Sequence, residues 1–278
     1  MYDMDTGVIV KRAGRKVDRV QQVKADLMEK HEKWLAGNNL EALYSHVIHA
    51  WRVERILEFT RDIRGKGLDL GCFAGTVAEK ILQQGGKEII GIDRLEKALK
   101  LAALRGIQPI LADIDDTILD FPDNYFDYAL ASEVLDYVFD PDAVIAEVRR
   151  VLKPGGKLII TVPNLASFGN RLLMLLGRPP YQMEVRPHQG GYWRYFTFDT
   201  MRSLLCDHGF VIRRMDSTVF AWPLIRLEFS RWPRLHKFFV KRDEWQQPRI
   251  YFSKLLARLL PRLGENIVVL AEKSAPSR

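Results

Sequence analysis

Apolar and polar positions along the chain follow two periods, and each change of period marks an element. Leu68 to Leu70, inside the stretch Lys66 to Ala78 (KGLDLGCFAGTVA), is a short apolar run broken by Gly71 and Gly75; from Thr76 the spacing becomes helical. This predicts a strand, a tight turn and a helix start. The helix Thr76 to Gln84 stops at Gly85-Gly86, and a second apolar strand follows at Glu88 to Ile92. A helix from Leu95 to Leu104 ends at Arg105-Gly106, and a short strand at Pro109 to Ala112 leads into Asp113. The strand Tyr125 to Ala131 opens onto Ser132-Glu133-Val134-Leu135-Asp136-Tyr137. Pro141 sits at the first position of a helix to about Leu152, and Lys153-Pro154-Gly155-Gly156 turns the chain into a buried strand, Lys157 to Val162. Strands alternating with helices predict a parallel sheet with right-handed crossovers and ligands at the carboxyl ends of the strands. Upstream, amphipathic spacing from Val23 to Leu35, a break at Gly37-Asn38-Asn39 and a second helix from about Leu40 to Arg61 place two helices before this core.

The first turn is the organising feature. Its glycines allow backbone to approach a ligand, and the helix that follows aims unpaired N–H groups into the turn. Asp93 stands about twenty residues on, at the end of the second strand, where a carboxylate can accept from both hydroxyls of a ribose. Taken alone, the same spacing also fits an ordinary βα turn.

The succession LDLGCFAGTVA, GIDRLEKAL, ILADIDD, FDYALASEVLDYVFDP and EVRRVLKPGGKLIITVPN resembles the class I S-adenosylmethionine-dependent methyltransferases, in their type 11 branch. The resemblance runs from Gly67 to Ser217, and Glu265 to Glu272 is similar to the family's last strand. It implies a Rossmann-like, doubly wound α/β fold whose mostly parallel seven-stranded sheet ends in an antiparallel strand. It also implies S-adenosylmethionine as cofactor, held by Asp69, Gly71, Cys72, Phe73, Gly75, Asp93, Arg94, Asp113, Ile114 and Ser132. In that set Asp113 would accept from the adenine amino group and the Ile114 N–H would face a ring nitrogen; a helix N-cap is the plainer role for Asp113. Two positions depart from the family pattern. Phe73 stands where relatives usually have a glycine, and Tyr137 where they often have a histidine facing the methyl donor or acceptor. The Tyr137 ring could orient a nucleophile or contact the sulfonium, or simply pack under the loop.

The helix Asp199 to His208, closed by Gly209, the strand Phe210 to Asp216 and the strand Asn266 to Ala271 resume the family pattern after two insertions. We expect an N-terminal arm with lid helices over residues 1–64 and a methyltransferase domain over 65–278, with cap insertions at about 165–196 and 219–264. Tyr44, His49 and Arg52 are candidate lid contacts. Both insertions leave strands at the carboxyl edge, so they are expected to shape the acceptor pocket. His188, in the first, is the candidate general base for a hydroxyl acceptor, with a Gly-rich-turn role as its alternative.

Charge sharpens the picture of the acceptor. The 278 residues carry a formal net charge of +7, and the second insertion mixes Trp222, Trp232, Phe238 and Phe239 with Arg226, Arg231, Arg234 and Lys237. Such a mix fits an interfacial segment on anionic lipid, a pocket for an amphipathic phosphate-bearing acceptor, stacking on nucleic acid, or a capping subdomain with basic solvent faces. Cys72 and Cys206 have neither the number nor the spacing of a disulfide framework or zinc site, so no metal is implied. Without a secretory or membrane-spanning pattern, the reading is a cytoplasmic protein with peripheral membrane attachment open.

The expected activity is methyl transfer to a small-molecule or lipid-linked acceptor, with envelope lipid or glycan biosynthesis as the setting. An RNA methyltransferase is the second enzyme reading, although the chain shows no appended RNA-binding module. A third reading is a cofactor-binding accessory protein without transfer activity, since the VPN…GRPP stretch has a faint similarity to the W protein of bacterial methionine biosynthesis.

Overall fold

A computed structural model describes residues 47–115, 119–180, 182–183, 192–220 and 246–275, together with isolated helical positions between 22 and 33. The strands are β1 (Lys66–Leu70), β2 (Glu88–Asp93), β3 (Gln108–Leu111), β4 (Phe126–Ser132), β5 (Leu152–Pro163), β6 (Phe210–Ser217) and β7 (Asn266–Lys273). The helices are α1 (Val47–Thr60), α2 (Thr76–Gln83), α3 (Glu96–Leu104), α4 (Pro141–Val151), α5 (Phe168–Leu175), α6 (Phe198–Asp207) and α7 (Gln246–Leu259). One seven-stranded sheet runs in the order β3-β2-β1-β4-β5-β7-β6. The five strands from β3 to β5 are parallel, while β7 lies antiparallel between β5 and β6.

This is the expected doubly wound sheet with an antiparallel last strand. Strand order reverses between β1 and β4, and the crevice at such a reversal is where ligands enter sheets of this kind. The core lies on both faces, which is why the central strands read as continuous apolar runs. Phe126, Ala129 and Ala131 of β4 pack with Ile145 and Val148 of α4 and Met201 and Leu205 of α6. Tyr128 and Leu130 of the same strand join Val53 and Ile56 of α1, Ala78 and Ile81 of α2 and Leu99 of α3 on the other face.

One boundary differs from expectation in a way that has a cause. The fifth strand begins at Leu152, not Lys157, because Leu152 already pairs with Phe126; Lys153 to Gly156 then bulge out before Lys157 pairs with Tyr128. The third strand is an exposed sheet edge shifted one residue back, at Gln108–Leu111.

Beyond β5 a buried asparagine joins the segment that follows β5 to the one that precedes β7. Asn164 donates from Nδ2 to the carbonyls of Gly264 (2.8 Å) and Arg262 (3.1 Å), and its Oδ1 accepts from the Ala166 N–H. Phe168 of α5 stacks on Phe220 at 5.0 Å, and Phe220 is bonded through its backbone to Ser253 of α7. Since β6 runs parallel to β5 across β7, both segments leave the sheet at the end where β1 meets its turn.

Tyr128 carries a defect that a substitution can test. Its ring lies across Gly67, where an added Cβ would sit 2.3 Å from Cζ, and its buried hydroxyl has no hydrogen-bond partner. An orphaned buried hydroxyl costs about 1–3 kcal/mol. Tyr128→Phe is therefore expected to raise the unfolding free energy by about 1 kcal/mol in urea titrations at unchanged slope; a loss of stability would show that the hydroxyl is satisfied in solution.

Candidate active site

Two groups of residues meet at the carboxyl edge of β1, β2 and β4. The first is the glycine turn between β1 and α2. Gly71, Phe73 and Gly75 all have positive φ, at 65°, 48° and 74°. For Gly71 the reason is steric as well as conformational, because a Cβ there would lie 2.5 Å from Val134 Cγ2. Phe73 accepts a left-handed backbone that costs an L-residue about 1–2 kcal/mol.

The Asp93 carboxylate holds this turn in place. Its Oδ2 accepts from the Phe73 N–H at 2.8 Å, and its Oδ1 accepts from the Leu95 N–H at 2.9 Å. Each oxygen keeps a second lone pair for a ligand hydroxyl. Burial nevertheless raises the Asp93 pKa, against the lowering by the two N–H donors. Asp69 lies beneath, buried at 3 % exposure, and its pKa is pushed well up by burial and then by Asp93. The Thr76 hydroxyl at the start of α2 is buried without a partner, and Gly75 caps that helix with no side-chain bond.

The remaining residues expected at the cofactor are brought to the same edge with differing roles. Cys72 is buried, and a Cβ on Gly91 would meet its Sγ at 2.6 Å, so the sulfur packs against β2; burial pushes its thiol pKa up. Arg94 follows Asp93 and lowers its pKa. Asp113 Oδ1 accepts from the Asp115 N–H at 3.1 Å, a turn-capping bond of the plainer kind, and Ile114 packs against the core. Ser132 Oγ lies 3.1 Å from Thr161 Oγ1, which ties the tip of β4 to β5. His188 lies outside the described residues, as do Tyr44 and the side chain of His49.

The second group is a buried charged cluster at the tip of β4. Glu133 has φ 56° and accepts from Asn266 Nδ2 on both carboxylate oxygens, at 3.1 and 3.2 Å. Arg52 of α1 pairs with Glu133 at 3.4 Å, while its Nε is buried with no partner. Asp136 is 2 % exposed, and neither of its carboxylate oxygens has a hydrogen-bond partner. Burial raises its pKa strongly, and Glu133 adds to the rise while Arg52 opposes it. Tyr137 packs on Tyr192 at 5.1 Å, and the two phenols share a hydrogen bond. Burial, reinforced by Asp136, pushes Tyr192 up to about 12. The Asp136 carbonyl accepts from the N–H groups of Trp193 and Arg194, so the Tyr192 segment is fastened over the cluster.

Among these, Tyr137 and Arg52 are legible as candidates from the sequence, but Glu133, Asp136, Tyr192 and Asn266 are not. The available signal was a pair of acids three residues apart at the end of an apolar strand, where burial was certain and partners were not.

Comparison with known proteins agrees with this geometry. Residues 68–160 match the family model described as a methyltransferase domain. An uncharacterized protein of Methanocaldococcus jannaschii is 35% identical over 141 residues, covering 50% of this chain and 60% of that protein. The ubiquinone biosynthesis O-methyltransferase of Bordetella avium is 30% identical over 126 residues, covering 43% of this chain and 52% of the relative. This chain thus spans about half to three-fifths of the length of these curated relatives. Among solved structures, a methyltransferase from Thermotoga maritima described as a possible histamine N-methyltransferase aligns with a TM-score of 0.55 at 18% identity, covering 91% of this chain and 99% of that one. An S-adenosylmethionine-dependent methyltransferase from Mesorhizobium loti aligns at 0.54 and 19% identity, covering 79% and 96%. Sequence match, strand order and the turn at the β1–β4 crevice converge: residues 68–160 match a methyltransferase domain, and the sheet around them has the fold of the class I S-adenosylmethionine-dependent methyltransferases.

Proposed function

We propose that this protein transfers a methyl group from S-adenosylmethionine to a hydroxyl oxygen of a small-molecule or lipid-linked acceptor, with envelope lipid or glycan biosynthesis as its setting. The observation that carries the reading is the turn pinned by Asp93 at the sheet's reversal point, bordered by buried groups that lack partners. Those groups suit the cofactor. Asp69 can accept from an ammonium, Asp93 has lone pairs left for ribose hydroxyls, and Thr76 and the uncapped start of α2 can meet a carboxylate. Asp113 and Ile114 stand at the next strand end, where an adenine would be held.

When bound, the cofactor supplies a methyl group on a sulfonium, an activated donor that needs no acid to assist its departure. The protein's task is then alignment, which can contribute several kcal/mol, and removal of the acceptor's proton. Asp136 and Arg52 fit the second task. A buried acceptor lacking a donor and a buried donor lacking an acceptor, in one cluster, suit a group that both donates and accepts. A hydroxyl is such a group. In this reading the hydroxyl donates to an Asp136 carboxylate oxygen and accepts from Arg52 Nε–H, and Asp136 takes its proton. The Tyr137–Tyr192 pair forms an apolar wall beside it. The named relatives acting as O-methyltransferases support an oxygen acceptor.

Methyl-labelled S-adenosylmethionine incubated with the protein and total lipid or metabolite extract should place label in an organic-soluble product, whereas an accessory protein would leave the label unused and an RNA enzyme would label RNA instead. With that product as readout, Asp136→Asn is expected to lower kcat by at least about a hundredfold and to remove the pH dependence of kcat/KM set by this group. Stability should move the other way. A raised carboxyl pKa contributes stability that is complete below the ordinary carboxylate pKa and is lost as pH rises toward the raised value. Because an amide cannot ionise, Asp136→Asn should unfold at or above the wild-type temperature at pH 8; full activity with reduced stability would make Asp136 merely structural.

Phe73 offers a separate check on the turn. Replacing it with glycine removes the cost of its positive φ and adds about 0.5–1 kcal/mol of chain entropy cost. Phe73→Gly is expected to unfold at equal or slightly higher denaturant and to keep its cofactor affinity within about threefold, under 1 kcal/mol. Loss of affinity would show that the ring itself contacts the ligand.

A further inference from the structure

Exposed apolar surface is concentrated on the two inserted segments. Of the fourteen large apolar side chains exposed among the described residues, nine belong to residues 174–183 or 251–260, while the rest are scattered along the sheet domain. Scattered ones are ordinary; a contiguous group marks a contact. Helix α5 ends in the run Leu172 to Leu176, five apolar residues that a single buried face cannot accommodate, and Leu175 and Leu176 are 82 % and 58 % exposed.

Helix α7 is reversed relative to an ordinary surface helix. It docks through its small side chains, Ser253, whose hydroxyl donates to the Phe220 carbonyl, and Ala257, which is wholly buried. Four of its large apolar residues point out: Tyr251, Phe252, Leu255 and Leu259 are 71, 49, 40 and 67 % exposed. A globular helix facing water has the opposite arrangement.

Charge identifies the occupant. Between residues 168 and 183 there are two arginines and no acid, and between 246 and 264 there are four basic residues and no acid, of which Lys254 pairs with Glu54 and Arg262 with Asp199. Arg171, Arg178 and Arg258 are exposed. Basic residues beside aromatic and leucine-rich faces favour the headgroup region of an anionic bilayer, where each Lys or Arg and each buried apolar group adds attraction. A water-soluble acidic partner would not require the leucines, and nucleic acid would not reward them.

We propose that the exposed faces of α5 and α7 form a docking surface for an anionic lipid bilayer. No helix among the described residues is long and apolar enough to cross a membrane, so the contact is peripheral. Because both segments leave the carboxyl edge of the sheet, docking brings the acceptor side of the domain to the lipid. The surface stands apart from the methyl-transfer reading, since its test reads no chemistry.

Flotation of the full chain is compared on phosphatidylcholine vesicles and on vesicles with about 30% phosphatidylglycerol. The protein is expected to float with the anionic vesicles only, and less so in high salt. Leu175→Asp with Leu176→Asp, or Leu255→Asp with Leu259→Asp, should weaken this by at least about tenfold, and Arg178→Glu should weaken it less. Circular dichroism and S-adenosylhomocysteine binding should be unchanged in each. Absence of binding to anionic vesicles by the wild type, or binding that neither leucine pair alters, overturns the proposal. So does a wild-type dimer in light scattering that the same leucine pairs dissociate, which would assign the face to a second copy of the chain.

Discussion

The two hydrogen bonds from the Phe73 and Leu95 N–H groups to the Asp93 carboxylate set the shape of the carboxyl edge. Together with the bonds from the Cys72 N–H to the Ile92 carbonyl and from the Gly75 N–H to the Cys72 carbonyl, they hold three left-handed residues, Gly71, Phe73 and Gly75, in the turn before α2. The bonds join the end of β2 to the turn after β1, and they lock the crevice in the place where the strand order reverses. Everything proposed for the cofactor depends on that geometry. It has an electrostatic cost: Asp69 and Asp93 share the space, and burial raises both pKa values. A cationic ligand group near Asp69 would relieve that cost, which supports the cofactor proposed for this crevice.

The rest of the surface balances this with carboxylates of the opposite kind. Hydrogen bonds from Arg213 and Lys157 hold Glu272 down to about 2, and bonds from Arg55 and Arg214 outweigh burial to lower Glu58. These groups contribute stability present above the ordinary carboxylate pKa and lost as pH falls through the lowered value. The acids at the carboxyl edge have raised values and act in the other direction, losing stability as pH rises. The molecule thus concentrates its electrostatic strain at the edge where ligands enter, a distribution common in functional sites.

Most of the fold was legible because each central strand is a short apolar run, and each helix that follows switches to a longer period. Boundaries moved only where pairing overrode local pattern, as when Leu152 joined Phe126 ahead of the Lys153–Gly156 bulge. The turn was legible for the same reason, yet its physics was only half readable. Spacing pointed to Asp93, but not to a carboxylate that holds the turn as well as facing a ligand. The cluster at β4 was not legible, since Asn266 reaches Glu133 across 133 residues of chain, and Arg52 comes from a helix ahead of the domain. No local signal encodes such a meeting. The reversed face of α7 was hidden for a related reason: which side of an apolar helix is buried depends on Phe220 and Ser217, not on its own periodicity.

The most direct test of the account is calorimetric titration of the purified chain with S-adenosylmethionine and with S-adenosylhomocysteine. A turn pinned by Asp93 and lined by unsatisfied polar groups predicts one-to-one binding with a micromolar Kd, about −8 kcal/mol. Absence of binding by both compounds, from protein that circular dichroism shows to be folded, would contradict the assignment of this crevice to the cofactor.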